Sequence, residues 1–169
     1  ENGEAVCTVT VWKPGRSEGG DSAGRIGDSG KDRPVHGSWV QAADGSWNFS
    51  AGGSTYQNTW GYFYNPYGAA GAGEAGWFRF DAAGRLLTGW FQDEDGSWYY
   101  LNPILDGSLG KMATGWRWIP DASGREYCYY FHPNAGGPMG AMAGSGKTPD
   151  GYEVDAQGRW CADGTPQTR

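Results

Sequence analysis

Val6 to Trp12 reads VCTVTVW, a run rich in β-branched residues in which Thr and Val alternate, and this period of two predicts a strand. A polar, glycine-rich stretch follows from Lys13 to about Pro34 and predicts a linker. From His36 onward the pattern repeats itself. Its clearest unit is Leu86 to Leu101, LLTGWFQDEDGSWYYL. An apolar residue stands four positions before a tryptophan at Tyr56/Trp60, Leu86/Trp90 and Met112/Trp116, and the last two units share Thr-Gly-Trp. The second strand of each unit recurs as WFRFD from Trp77, WYYLN from Trp98 and CYYFH from Cys128.

Turn chemistry divides these runs. Asp44-Gly45, Asp95-Gly96 and Asp150-Gly151 supply the positive φ that tight hairpins need. Asp81-Ala-Ala-Gly84, Asp121-Ala-Ser-Gly124 and Asp155-Ala-Gln-Gly158, each followed by arginine, predict a second reused turn. No segment holds a helical period. Short hairpins are marginal alone and must stack to bury their aromatic faces. The expected fold is therefore all-β, a solenoid of stacked β-hairpin repeats behind an N-terminal strand and a Gly-rich linker. The expected boundaries are a terminal strand at 1–12, a linker at 13–34, repeats at 35–161 and a tail at 162–169.

Composition changes the picture in two ways. The 169 residues include 31 Gly and 9 Pro with few aliphatic side chains, which alone would suggest disorder. Ten Trp and ten Tyr reverse that reading, because each can bury roughly 150–250 Å². Net charge is −6, and no basic stripe runs along any segment. This argues against nucleic acid or anionic lipid and favours a cationic or neutral ligand. No apolar run is long enough for a membrane span. Cys7, Cys128 and Cys161 show neither CxxC nor metal-ligand spacing, so no metal or cofactor is expected.

The succession of GW, DGSWYYLN and GKMATGW resembles the choline-binding, or cell-wall-binding, repeat of Gram-positive surface proteins, most specifically over Gly89 to Trp116. The segment 1–12 resembles the last strand of a bacterial immunoglobulin-like domain, which implies an upstream effector domain in the same polypeptide. The repeat resemblance implies a ligand held between successive hairpins by two Trp of one unit and the second Tyr of the next. By position one cage is Trp60, Trp77 and Tyr100, and a second is Trp90, Trp98 and Tyr130. A trimethylammonium group offers no hydrogen-bond donor, so a site for it must present aromatic faces. Strand alternation puts Trp98 and Tyr100 on one face and Tyr99 on the other. At the first junction Trp39 and Trp47 are present, but the position matching Tyr100 is Arg79, a cation expected to repel choline.

Other motifs weigh less. Ala141 to Thr148 matches a relaxed phosphate-loop pattern, but Pro149-Asp150-Gly151 follows at once where a helix would be required. Gly71 to Gly76 reads GxGxxG but leads into the strand at Trp77. Asp93-Glu94-Asp95 reads as a solvated hairpin tip, and no Ser or Cys has an evident base partner. Cys128 and Cys161 are placed to pair across the last hairpins or to remain free. The expected function is a non-catalytic module, extracellular at the bacterial surface, that binds choline-bearing teichoic acid or another wall polysaccharide. Its rivals are a glucan-binding module, since flat aromatic faces also suit sugar rings, and a structural spacer whose aromatics only pack.

Overall fold

A computed structural model describes residues 5–7, 34–35, 37–64, 75–133 and 139–169. Among them every regular element is a strand. The strands are β1 (Ala5–Cys7), β2 (Gly37–Gln41), β3 (Trp47–Ala51), β4 (Ser54–Thr55), β5 (Thr59–Tyr64), β6 (Ala75–Phe80) and β7 (Gly89–Gln92). They continue as β8 (Trp98–Leu101), β9 (Gly115–Pro120), β10 (Glu126–Phe131), β11 (Gly146–Lys147), β12 (Glu153–Val154), β13 (Trp160–Ala162) and β14 (Thr165–Pro166). Strands β1 to β4 make one sheet and β11 to β14 another, while β5–β6, β7–β8 and β9–β10 are two-stranded. Pairing within these sheets is antiparallel and joins consecutive strands. The all-β expectation holds.

Both predicted turns appear with the chemistry their residues dictate. Gly45, Gly96 and Gly151 have φ of 86°, 85° and 90°. The Asp44 carboxylate accepts from the Ser46 amide and hydroxyl at 2.9 and 2.6 Å, and the Asp95 carboxylate accepts from the Ser97 amide at 2.8 Å. A shared contact closes the base of two tips: Gln41 and Gln92 donate to the carbonyls of Gly45 and Gly96 at 3.1 and 3.2 Å. In the second turn Asp81, Asp121 and Asp155 each accept the amides two and four residues on.

The chain divides into two compact units, residues 1–91 with 100–112, and residues 92–99 with 113–169. The first has an aromatic core. Trp39 is fully buried, with ring centroids 5.1–5.8 Å from Phe49, Phe63, Phe78 and Phe80, and its indole N–H donates to the Tyr64 carbonyl at 3.2 Å. Phe49 stacks on Phe63 at 3.8 Å. Gly61 makes room for this: a Cβ there would stand 2.0 Å from the Phe63 ring, so any side chain would expel it. Burial pushes the Tyr56 hydroxyl, in the same cluster, up to about 12. Trp39 and Trp47, noted at the first junction, are thus core residues.

In the second unit, Tyr130, Ala143 and Val154 form a small core against which Trp116 packs. Backbone bridges Tyr129↔Arg159 and Tyr127↔Thr168 tie β10 to the last sheet and its C-terminal flank. Residues 162–169, expected as a tail, contribute β14. Residues 5–7 of the expected terminal strand pair with β2, with Ala5 opposite Trp39. Cys128 and Cys161 are both free and buried; Cys7 lies where no side chain is described. Residues 65–74, by which the second hairpin is longer than its sisters in sequence, lie outside the described residues.

Candidate functional site

Hairpin register decides which rings face one another. In β5–β6, Trp60 stands opposite Arg79 and Tyr62 opposite Trp77. In β9–β10, Trp116 stands opposite Tyr130 and Trp118 opposite Cys128. Trp90 of β7 meets Tyr100 of β8 with centroids 5.2 Å apart. The first strand of each hairpin therefore presents its tryptophan to one slot on its partner, filled by Arg79, Tyr100 or Tyr130. The match of Arg79 to Tyr100, read from sequence, is a match of register.

In the first unit these rings are closed to solvent at one end. Trp60 and Trp77 are 1% and 2% exposed. Trp60 meets Phe91 edge-on at 5.7 Å, and Trp77 meets Tyr62 at 5.3 Å. The Arg79 guanidinium lies 6.0 Å from the Trp60 ring and 5.0 Å from that of Phe91. Tyr100 is half-buried, which raises its phenol above the ordinary range. Trp90 is 39% exposed.

The second unit holds a different arrangement. Alternation along β9 puts Trp116 and Trp118 on one face, with exposed Arg117 between them on the other. Trp116 meets Tyr152 at 5.9 Å and 89°, Tyr152 meets Trp160 at 6.3 Å and 83°, and Trp160 meets Trp118 at 6.2 Å and 84°. Four rings thus follow one another at near right angles and return to the strand they started from. Tyr152 is 52% exposed and the three tryptophans are half-buried. Tyr130 backs Trp116 at 5.1 Å.

A carboxylate stands beside these rings. The Trp116 indole N–H donates to Asp150 Oδ2 at 2.8 Å, and Thr148 Oγ1 donates to Asp150 Oδ1. The Thr148 hydroxyl and then the Trp116 indole hold this carboxyl below its ordinary 3.8, so it is ionised at neutral pH. An arginine already uses one of the rings: the Arg169 guanidinium stands 5.0 Å from Trp118 while paired with Glu126 at 2.7 Å. Such ring faces attract cations within about 6 Å. Lys147, from the phosphate-loop match, lies in β11, and Thr148 after it enters a turn, accepting from the Tyr152 amide at 3.2 Å.

Of the first expected cage, Trp60, Trp77 and Tyr100 all lie in the first unit, two of them buried. Of the second, Trp90 belongs to the first unit, and Trp98, 39% exposed, and buried Tyr130 belong to the second. The rings brought together with Trp116, whose indole bonds Asp150, are Tyr152, Trp160 and Trp118, none of which the sequence assigns to a cage. Two signals were available: tryptophans two apart in one strand, and an aromatic directly after the Asp150-Gly151 turn. Among the described residues no cluster of three His, Cys, Asp or Glu could hold a metal, and no helix is long and apolar enough to cross a membrane.

Residues 88–103 match a family model described as "Putative cell wall binding repeat". The chain thus carries a cell-wall-binding repeat over those residues. No curated protein matches the chain. Among solved structures it is similar to choline-binding protein F of Streptococcus pneumoniae in complex with ipratropium, at 26% identity over 76% of this chain and 43% of that one, TM-score 0.39. It is similar to the pneumococcal cell wall endolysin from phage Cp-1 complexed with choline, at 28% identity over 77% and 38%, TM-score 0.36. It is also similar to alternansucrase in complex with isomaltononaose, at 19% identity over 84% and 11%, TM-score 0.40. The chain spans less than half the length of each of these three proteins.

Proposed function

We propose that this chain is a non-catalytic wall-attachment module of a Gram-positive surface protein that holds the choline of teichoic acid, or a related wall polymer, on its aromatic side chains. The supporting observation is the succession of perpendicular rings Trp116, Tyr152, Trp160 and Trp118 beside the ionised Asp150. Successive ring centroids stand 5.9–6.3 Å apart at near right angles, so that several aromatic faces lie within the reach of the quadrupole attraction on one cation. That geometry suits a round quaternary ammonium. An open coplanar pair of rings would suit a sugar face better.

Trp90 and Tyr100, the more accessible members of the sets expected from sequence in the first unit, offer a second aromatic face. Trp60 and Trp77, being buried, are assigned no ligand from solution. On this reading residues 35–161 are a solenoid of hairpin repeats, and the effector they tether lies elsewhere in the same polypeptide. Rings contributing ~0.5–2 kcal/mol each, less the cost of immobilising the ligand, leave roughly millimolar affinity per site. Avidity along a polymer bearing many cholines then supplies useful attachment.

Calorimetric titration with choline and with 3,3-dimethylbutanol, its uncharged shape mimic, tests the reading. Choline is expected to bind at least about tenfold more tightly. Equal affinity for the two would refute the cation site, and binding of a soluble glucan with no response to choline would transfer the function to carbohydrate.

A further inference from the structure

We propose that Arg79 is a built-in ligand: its guanidinium occupies the aromatic site made by Trp60 and Phe91 and closes it to cations from solution. Three observations carry this. Arg79 sits in the register slot that holds Tyr130 opposite Trp116, so a cation stands where the sister hairpin places a ring. Its guanidinium lies 6.0 Å from Trp60 and 5.0 Å from Phe91, and the residue is only 6% exposed. Its terminal nitrogens are aimed by two acceptors, the Phe80 carbonyl and Asn58 Oδ1, each at 3.0 Å. Asn58 is itself held in place, since it adopts a left-handed φ of 48° and its amide donates to the Asp81 carbonyl at 2.8 Å.

The sequence suggests that a cation here merely repels ligand. The geometry assigns it a positive part, since a charge held over two rings is how such a site looks when occupied. The two carbonyl-type acceptors also set its preference. A planar guanidinium can donate to both, whereas a trimethylammonium has nothing to donate.

Arg79→Ala tests this by vacating the site. Isothermal titration with ethylguanidinium should show one more equivalent bound than in the wild type, at millimolar affinity, with tetramethylammonium about tenfold weaker. Ethylguanidinium should also raise the melting temperature of the variant by more than it raises that of the wild type. A folded Arg79→Ala protein that binds no more cation than the wild type overturns the proposal. Should that variant fold neither alone nor with ethylguanidinium, Arg79→Lys and Arg79→Met decide. A lower melting temperature for Met than for Lys supports a resident cation, and equal or higher stability of the Met variant overturns it. Choline binding by the wild type is a separate readout, so failure of the choline reading leaves this result interpretable.

Discussion

Trp60 faces Arg79 across β5–β6, and Trp116 faces Tyr130 across β9–β10, at the same place in the hairpin ladder. The first tryptophan is sealed in, with a guanidinium over it. The second is half-open, backed by its tyrosine and bonded through its indole N–H to a carboxylate. One backbone pattern thus gives an internally satisfied ring in one unit and an available ring in the other. A single residue in the facing slot changes what the ring does, because an aromatic face recruits whatever cation is closest.

The sharpest break between the regions concerns Trp39, which anchors the core of the first unit. Trp39→Ala should cost about 3–5 kcal/mol in urea unfolding. The folded variant should keep the choline response of the second unit. A cost under about 1 kcal/mol would mean that this core is not what holds the first unit together. Next in size, Trp160→Ala removes a wall shared by Tyr152 and Trp118 and should weaken choline binding about 10–30-fold by calorimetry, equivalent to about 2 kcal/mol. An unchanged constant would place the ligand elsewhere.

The reused Asp-x-x-Gly turn allows a comparison that holds the backbone constant. Gly84, Gly124 and Gly158 have φ of 81°, 84° and 82°. Alanine at any of them should cost about 1–2 kcal/mol through the left-handed backbone. A Cβ at Gly124 meets nothing within 4 Å, at Gly84 it meets the Tyr56 carbonyl at 3.1 Å, and at Gly158 it meets Met142 Sδ at 2.5 Å. Met142 can swing its flexible end away, but a Cβ at Gly158 also meets the Ala143 carbonyl at 3.0 Å, so thermal melts should rank Gly124→Ala as least damaging and Gly84→Ala and Gly158→Ala as clearly worse. Any other order would show that space, as distinct from dihedral angle, does not separate the three turns.

The smallest effect belongs to Asp150. Its carboxyl is held below the ordinary carboxylate range when folded, so its charge is present at neutral pH and is lost only as pH falls through the lowered value. Choline affinity should be flat from about pH 5 to 8 and decline only in stronger acid. Asp150→Asn should weaken binding by no more than a few-fold, since the group is exposed and screened. That loss should shrink further in high salt. A loss above about tenfold would make Asp150 a principal contact.

Turns and strands were legible because they depend on neighbours in sequence. Asp-Gly pairs need positive φ wherever they occur, and period-two alternation correctly separates Tyr99, buried, from Trp98 and Tyr100. The slot shared by Arg79, Tyr100 and Tyr130 was legible for the same reason. Which rings stay open was not. Trp60 and Trp98 look alike as letters, yet one is 1% and the other 39% exposed. The Phe91 ring and the Arg79 guanidinium over Trp60 come from other strands, and no local pattern records their approach. Trp118 and Tyr152 were missed for the converse reason: they meet through Trp160, which is distant from Trp118 in sequence.

The pairing of consecutive strands within every sheet also bears on how the chain reaches its final form. A hairpin such as β9–β10 closes a tight local loop, an event of about 1–10 μs, and local contacts are the ones that favour rapid folding. Other ties wait for distant segments, among them β1 to β2, the Leu86 amide to the Trp47 carbonyl, the Met112 amide to the Trp77 carbonyl and the bridge from Tyr127 to Thr168. A polypeptide emerging end-first from a narrow conduit could fold each hairpin as it appears, without holding long apolar stretches open to aggregation in the meantime.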